Sequence, residues 1–540
     1  MKPEKLFLTA GFAILFCLPS LAQSLQLINA GDHAPVPYVA VFNQQKNRST
    51  LSDSLGTIDL RLFKAEDTLE FQHPSYLSRK MPWSGLKGKQ NLTLYRRNVL
   101  LDEFVISASK SRESTMEIPA RVDVLAGDAI RHSGGFNSAE ILEATGNILV
   151  QKSQGGGGSP ILRGMEANKI LLVVDGVRMN NAIYRNGHLH NAITIDQAVL
   201  DRAEILYGPS SVMYGSDALG GVIHYFTREP VLSPEGQGPA FHIGGSAGYS
   251  TAERGIQSHL DVSLGGRRFG SLSSVTFKRL GDVRSGGNRA PFLGDWGLIP
   301  HYADRTFQRD SMVANPDPRV QKYTDYWQTD LMQKFLFVPS PKVELGLNLQ
   351  YSTSSYVHRL DMLNDYSDGR LKYAEYFYGP QNRFLASLKN TVKANGFLFT
   401  RLTSILSYQR IDEDRYSRKM DATQRLVQQE DVEVFSFTGD FIKIWNPEHK
   451  LNYGTEVNHN LVASDAWYFD TGTGALSDAQ TRYPEGGSQT WNASFYASYK
   501  WILNPRVLLN GGLRYSRALL LSRFDNPCIP WIPSPSGTGP

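Results

Sequence analysis

Val343-Glu-Leu-Gly-Leu-Asn-Leu-Gln-Tyr351 places an apolar side chain at every second position, with Glu344, Gly346, Asn348 and Gln350 between them. In an extended chain successive side chains point to opposite faces, so one face of this stretch is apolar and the other is not. The pattern recurs in Trp491-Asn-Ala-Ser-Phe-Tyr-Ala-Ser-Tyr499, and again at Val507, Leu509, Gly511, Leu513 and Tyr515. Such strands suit either a soluble sandwich or a transmembrane barrel, whose strands are ~9–11 residues long with the apolar face toward lipid. The connections separate the two. Short turns at 265–268, 338–341, 393–396, 446–449 and 503–505 alternate with polar stretches at 281–325, 352–382, 412–430 and 461–490. A sandwich has no reason to sort its loops this way, whereas outer-membrane barrels have short turns on one side and long loops on the other. Trp327, Tyr351, Trp445, Tyr499 and Trp501 fall near strand ends, where interfacial aromatic girdles lie.

Residues 239–516 are therefore expected to form about eleven antiparallel transmembrane strands, a partial barrel, since single-chain barrels close with an even number. Residues 517–540 read as an irregular tail; Cys528-Ile-Pro-Trp-Ile-Pro-Ser-Pro carries no strand pattern. The expectation is a product truncated in an external loop and unable to transport by itself.

Composition agrees. Of 540 residues 41% are hydrophobic and 20% charged, which excludes a disordered chain. Mean hydropathy is −0.31 and the one long apolar run is N-terminal, which excludes a polytopic helical membrane protein. A formal charge of +4 gives no sign of a nucleic-acid partner. Lys2 and Lys5, the apolar run Leu6–Leu18, Pro19 and Ala22 read as a secretory signal peptide over residues 1–22. The two cysteines, Cys17 and Cys528, leave no internal disulfide or cysteine metal cluster once the first is removed.

Upstream of the barrel the fold class is mixed. Residues 23–97 alternate at period 2 (Ile58, Leu60, Leu62; Leu92, Leu94), with Asp53-Ser-Leu-Gly56 as a turn, and read as a small β-sandwich. The segment Ser52–Leu60 followed by Asp67–Tyr76 resembles the carboxypeptidase-regulatory-like domain, with Ser75 where that family usually has Gly. Residues 98–114 form a linker, or a short extended segment (Phe104-Val-Ile-Ser107) held for addition to a partner's sheet edge. Residues 115–232 form a compact α/β region with a helix at 139–144 and strands at 169–175 and 203–207.

Within that region, ILRGMEANKILLVVDGVRMNN (161–181) and LDRAEILYGPSSVMYGSDALGGVIHYFTREP (200–230) resemble the plug domain of TonB-dependent outer-membrane receptors. The residues that carry the likeness are Arg163, Gly164, Asp175, Gly176, Gly208, Pro209, Tyr214, Gly215, Gly220 and Gly221. Tyr207 departs from it, because the family commonly has Arg before Gly-Pro, and one plug–barrel polar contact is thereby in question. The resemblance runs to about residue 526. It implies a TonB box at Asp102, Glu103, Phe104, Val105, Ile106 and Ser107, and location in the bacterial outer membrane. It also implies two partners besides the outer-membrane lipid: the TonB energy-transducing complex, and a scarce ligand (iron chelate, haem, cobalamin or glycan). No covalent chemistry and no cofactor are implied.

Two motifs point elsewhere and are set aside. Gly244-Gly-Ser-Ala-Gly248 matches G-x-S-x-G but lies in a predicted strand without the strand–turn–helix that a nucleophile needs. Gly155–Gly158 lacks a following Lys-Ser or Lys-Thr at phosphate-loop spacing and reads as a flexible plug loop. His188 and His190 stand two apart, which in an extended segment turns both imidazoles to one side. Neutral imidazole binds iron, copper, nickel or zinc, although two hydrogen-bonded loop residues are the plainer reading. The resemblance puts their loop on the ligand-facing side of the plug. Tyr184, Arg185, His188 and His190 are thus the expected ligand contacts, with no firm metal site.

Overall fold

The computed structural model describes residues 24–525 except 31–32, 74, 96–103, 108–109, 111–112, 115–117, 136, 153–154, 185–191, 289, 307–308 and 505–506. The expected signal peptide therefore lies outside the described residues. The chain forms two compact units, the first ending at Glu103 and the second starting at Phe104.

In the first unit, Thr57–Asp59, Ser24–Asn29 and Asn91–Leu94 make a three-stranded sheet. Ser49–Leu51, Ala40–Asn43, Thr68–His73 and Tyr76–Pro82 make a four-stranded one. The period-2 side chains Leu25, Leu27, Val41, Leu69, Phe71, Leu92 and Leu94 form a single core. The Asp53 carboxylate accepts from the amides of Leu55 and Thr57 (2.9 and 2.8 Å), which fixes the expected turn.

The second unit begins with a five-stranded sheet in the order Val122–Ala126, Leu200–Tyr207, Gly221–Thr227, Ile170–Val174, Val177–Arg178. Every side chain of Ile170–Val174 is buried, as an unbroken apolar strand covered on both faces requires. A helix spans Glu140–Glu143. Gly155–Gly158 is packed, not loose. A Cβ on Gly156 would stand 2.5 Å from Ile193 Cδ1 and 2.8 Å from the Tyr326 ring, so the bare backbone is what lets this tip wedge against the wall.

Around this domain stands a fourteen-stranded antiparallel sheet, whose main path among the described residues has eleven strands. In order they are Ala240–Ser250, Gly255–Gly265, Phe269–Leu280, Tyr326–Ser340, Val343–Ser354, Asn382–Lys393, Arg401–Lys419, Gln424–Asn446, His449–Asp470, Ser488–Asn504 and Val507–Ser522. The G-x-S-x-G string lies inside the first of them. The last pairs with its neighbour as far as Ser488↔Ser522. The irregular tail therefore does not begin at 517, and residues 526–540 lie outside the described residues.

The two faces of this wall differ as the alternation demands. Leu347, Tyr351, Phe495, Leu509, Leu513 and Tyr515 are exposed on the outside. Asn348, Ser494 and Lys500 are buried on the inside. Two aromatic belts bound the outer apolar band. On the loop side Phe384, Tyr408, Phe435, His459 and Trp491 follow one another across five neighbouring strands, with ring centroids 6.4, 5.0, 6.4 and 3.8 Å apart. On the turn side Trp445, Tyr499, His449 and Trp501 cluster at 6.4, 6.0 and 5.7 Å. Among the described residues no helix is long and apolar enough to cross a membrane.

Two of the polar stretches read as loops are largely strand. The hairpin Arg401–Lys419/Gln424–Asn446 turns at 420–423, and the next strand continues to Asp470. Above the aromatic belt the outer face has no lipid to meet, so charged pairs such as Arg410–Asp431 (2.6 Å) replace apolar ones and hide the strand from a hydrophobic pattern.

Candidate functional site

The plug is fastened to the wall where its motifs lie. Asp175 and Gly176 both have positive φ (49° and 90°) and close the hairpin between Ile170–Val174 and Val177–Arg178. A Cβ on Gly176 would stand 2.5 Å from Ile405 Cδ1 of the wall, so glycine answers both the φ and the close approach. The Asp175 carboxylate accepts from Thr227 N and Oγ1 (2.9 and 2.5 Å), from Lys334 Nζ (3.1 Å) and from Asn348 Nδ2 (3.0 Å). Burial pushes this carboxyl up, but the Lys334 ammonium and Thr227 outweigh it and hold it below the ordinary range.

Beside it, Arg178 pairs with Asp217 (2.8 Å), with Glu456 of the wall (3.0 Å) and with the Tyr214 carbonyl. Arg514 holds the other oxygen of Glu456 at 3.0 Å and also approaches Gly215. Tyr214 and Gly215 thus sit against the wall. Gly208, Pro209, Gly220 and Gly221 shape the turn between Leu200–Tyr207 and Gly221–Thr227, where the Gly208 amide donates to the Gly220 carbonyl (3.1 Å). Arg163 and Gly164 form a left-handed turn (φ 50° and 78°). The Tyr207 departure has a local answer. Its hydroxyl donates to Asp123 (3.0 Å), and the Arg121 and Arg163 guanidinia lie 5.1 and 5.6 Å from its ring. These contacts stay within the plug.

The expected strand-addition segment is engaged, not free. Asp102 and Glu103 lie outside the described residues. Phe104–Val105 pairs with Glu113–Ser114 in a short hairpin. The amides of Ile106 and Ser107 donate to Glu204 Oε2 at 2.8 and 2.7 Å, while Arg202 Nε donates to Oε1 at 2.9 Å. Glu204 is fully buried in the plug strand. Lys110 reaches Asp440 (3.2 Å) and the Tyr496 hydroxyl (3.3 Å), and Glu113 is held by Lys450 and by Lys500 (3.4 Å), all on the wall. One buried carboxylate thus takes the backbone donors that a partner strand would need, and ion pairs tie down the rest.

On the opposite side of the plug, Tyr184 packs with Ile183, Ile411, Val432, Val434 and Val462, and the Tyr483 hydroxyl donates to the Ile183 carbonyl (3.1 Å). Arg185, His188 and His190 lie outside the described residues. Above this floor, Arg482 pairs with Glu430 (2.6 Å) and Glu413 (3.6 Å).

Glu204, Arg178, Glu456 and Lys334, whose ion pairs and hydrogen bonds fasten the segment and the plug, are residues that sequence reasoning missed. Glu204 did carry a signal: a carboxylate inside the apolar run Ala203-Glu-Ile-Leu206 must have a partner if the run is buried.

His224 accepts the Gly176 amide on Nε2 (3.0 Å) and stacks on Phe226. Burial above all, with Arg202, Lys389 and Lys110 adding to it against Asp175, pushes its imidazole from 6.5 down to about 3. The unfolded chain takes up this proton near pH 6.5 and the folded one only near pH 3. The stability is therefore whole above pH 6.5 and is lost as pH falls through that window, by up to about 1.4 kcal/mol per pH unit. Denaturant unfolding across pH 3–8 should show wild type losing stability below pH 6.5 while His224→Gln, with no imidazole to protonate, does not lose this contribution, so the two separate as pH falls.

Comparisons place the arrangement among known proteins. Residues 114–222 match the family model TonB-dependent Receptor Plug Domain. A hemin receptor of Yersinia pestis is 32% identical over 223 residues, 39% of this chain and 31% of that protein. A vitamin B12 transporter BtuB of Vibrio vulnificus is 32% identical over 128 residues, 23% of this chain and 20% of that protein. The chain thus spans less than a third of the length of these curated relatives. Among solved structures, the copper transporter OprC superposes with a TM-score of 0.56 at 16% identity, covering 75% of this chain and 56% of that one. Unliganded ferric citrate transporter FecA gives 0.52 at 16% identity, covering 75% and 57%. At such identities the likeness is one of fold.

Proposed function

We infer that this chain, with the plug and the lipid-facing wall of a TonB-dependent outer-membrane receptor, belongs to a receptor for the active uptake of haem or an iron chelate across the outer membrane. The observation that carries the reading is the segment 104–107, docked by its backbone on Glu204 at the plug's edge. A segment held by two amide hydrogen bonds, a two-residue hairpin and the Lys110 and Glu113 ion pairs can be exchanged for pairing with a partner's strand, which is what coupling to the TonB complex of the inner membrane requires. The ligand binds on the loop side; the plug, fastened at Asp175 and Arg178, bars the way until the segment is pulled.

Haem is favoured by the similarity to hemin receptors and by the His188-x-His190 pair; an iron chelate is supported by solved neighbours named for iron, ferric enterobactin and ferric citrate. Cobalamin is a second reading, favoured by the vitamin B12 transporters among the relatives. Titrating the purified receptor with haem, ferric enterobactin and cobalamin tests this. We expect a shifted Soret band that is lost in His188→Ala/His190→Ala, or saturable binding of the ferric chelate. Binding of cobalamin alone, or of none of the three, would sink the haem or iron reading.

A further inference from the structure

The short connection 394–400, which joins Asn382–Lys393 to Arg401–Lys419, reads Ala-Asn-Gly-Phe-Leu-Phe-Thr. Turns favour Gly, Asn, Asp, Ser and Pro, and the turns 265–268 (Gly-Gly-Arg-Arg) and 446–449 (Asn-Pro-Glu-His) keep to that. Here three apolar side chains follow one another. Phe397 is 93% exposed and Leu398 64%, so neither packs against the protein. Phe399 meets the Phe441 ring edge-on at 5.9 Å. The backbone of this turn is tied to the outside of the wall. The alternation that puts Phe435 in the loop-side belt puts Phe441, Lys443 and Trp445 on the same outer face, and the register pairs Phe441 with Tyr453. Tyr453 lies flat on Phe441 (5.0 Å, 10°), and its hydroxyl donates to the Leu398 carbonyl at 2.8 Å. Lys443 Nζ donates to the Gly396 carbonyl at 2.5 Å. The carbonyls of Gly396 and Leu398, on either side of the Phe397 side chain, are thus both held by outer-face side chains.

We propose that this turn is a wedge in the periplasmic leaflet whose partner is a phospholipid: acyl chains receive Phe397 and Leu398, and the phosphate meets Lys443 and Lys342. The occupant follows from continuity with the lipid-facing wall. Short connections lie on the periplasmic side of an outer-membrane barrel. Phe399, Phe441 and Tyr453 run on into the turn-side belt of Trp445 and Tyr499, so the exposed tip extends a surface that already faces lipid. The charges agree. Lys342 stands at the foot of the turn, where its carbonyl accepts the Lys393 amide (2.8 Å). Neither Lys342 nor Lys443 has an ion pair among the described residues, while Glu344 is taken by Lys393 (2.8 Å). Long stems let both ammonium groups reach phosphates from the rim of an apolar band. Such a wedge fixes the depth of the wall, because displacement toward the periplasm would draw Phe397 and Leu398 into water. The inference does not depend on which ligand is carried.

The test uses the exported chain with Cys528→Ser and Phe397→Cys, labelled with bimane and reconstituted into vesicles of phosphatidylcholine and phosphatidylglycerol in equal parts. Lipid brominated in its acyl chains should quench this label by about half, while iodide in the buffer leaves it nearly untouched. The same label at Thr473→Cys, on the external connection between Asp470 and Leu476, should show the reverse. Lys342→Glu/Lys443→Glu should lower quenching by the brominated lipid about twofold, since two attractions to phosphate become repulsions. Tyr453→Phe, which frees the Leu398 carbonyl, should raise access of iodide. Iodide reaching position 397 as freely as position 473 would overturn the wedge. Lipid quenching that the double charge reversal leaves unchanged would overturn the phosphate contact. If iodide is excluded only after periplasmic extract is added, a protein covers the turn and the lipid assignment fails.

Discussion

Removing Phe104–Ser107 should reduce energised uptake to that of cells without the receptor and leave ligand binding at the cell surface unchanged. The segment contributes nothing to the loop-side floor around Tyr184, which is built from Ile183, Ile411, Val432, Val434 and Val462. It contributes the backbone that a partner strand would pair with. Glu204→Ala should have the opposite effect at the same place: the amides of Ile106 and Ser107 lose their acceptor, so the segment should undock and bind a soluble TonB C-terminal domain more readily. Uptake of radiolabelled haem iron, surface binding at low temperature and pull-down of the two variants separate the cases. Uptake that persists without 104–107 would show that import does not run through this segment, and surface binding without uptake in the wild type would make the protein a receptor that does not import.

The second large effect is structural. Glu456→Ala should cost about 3–5 kcal/mol, because it leaves the buried guanidinium of Arg514 without its carboxylate and Arg178 with Asp217 alone. The cost should appear as a lowered unfolding midpoint, and as plug loosening, read by single-channel leak currents in planar bilayers. Replacing the whole cluster (Arg178→Met, Asp217→Asn, Glu456→Leu, Arg514→Met) should restore most of the loss, since an ionic cluster removed whole leaves no unpaired charge behind. If Glu456→Ala leaves both the midpoint and the leak as in wild type, the plug is not seated through this residue.

What could be read from the chain beforehand, and what could not, follows from the range of the forces involved. Alternation at 343–351, 491–499 and 507–515 is local, and it located strands and faces; Trp445, Tyr499 and Trp501 do stand together on the turn side, but the loop-side belt of Phe384, Tyr408, Phe435, His459 and Trp491 was not foreseen. It failed at 412–430 and 461–470, where strands rise clear of lipid and alternate charge with charge. The glycines at 155–158 looked like slack because nothing local reveals that Tyr326 and Ile193 press on them. The fastening pairs were illegible for the same reason: Arg178 and Glu456 are 278 residues apart, and Ile106 and Glu204 are 98 apart. A charge in a sequence names no partner until the topology brings one.

The tall hairpins have one more consequence. Strands of 23 and 22 residues are about 70 Å long at roughly 3.3 Å per residue, and a tilt near 40° still leaves about 55 Å of height against a greasy band of about 25 Å. More than half of that palisade stands in water. Whatever drifts in from the medium strikes a protein parapet well before the headgroups, so first capture is an event of the aqueous phase, and anything else seeking a foothold on the cell is offered the same ledge.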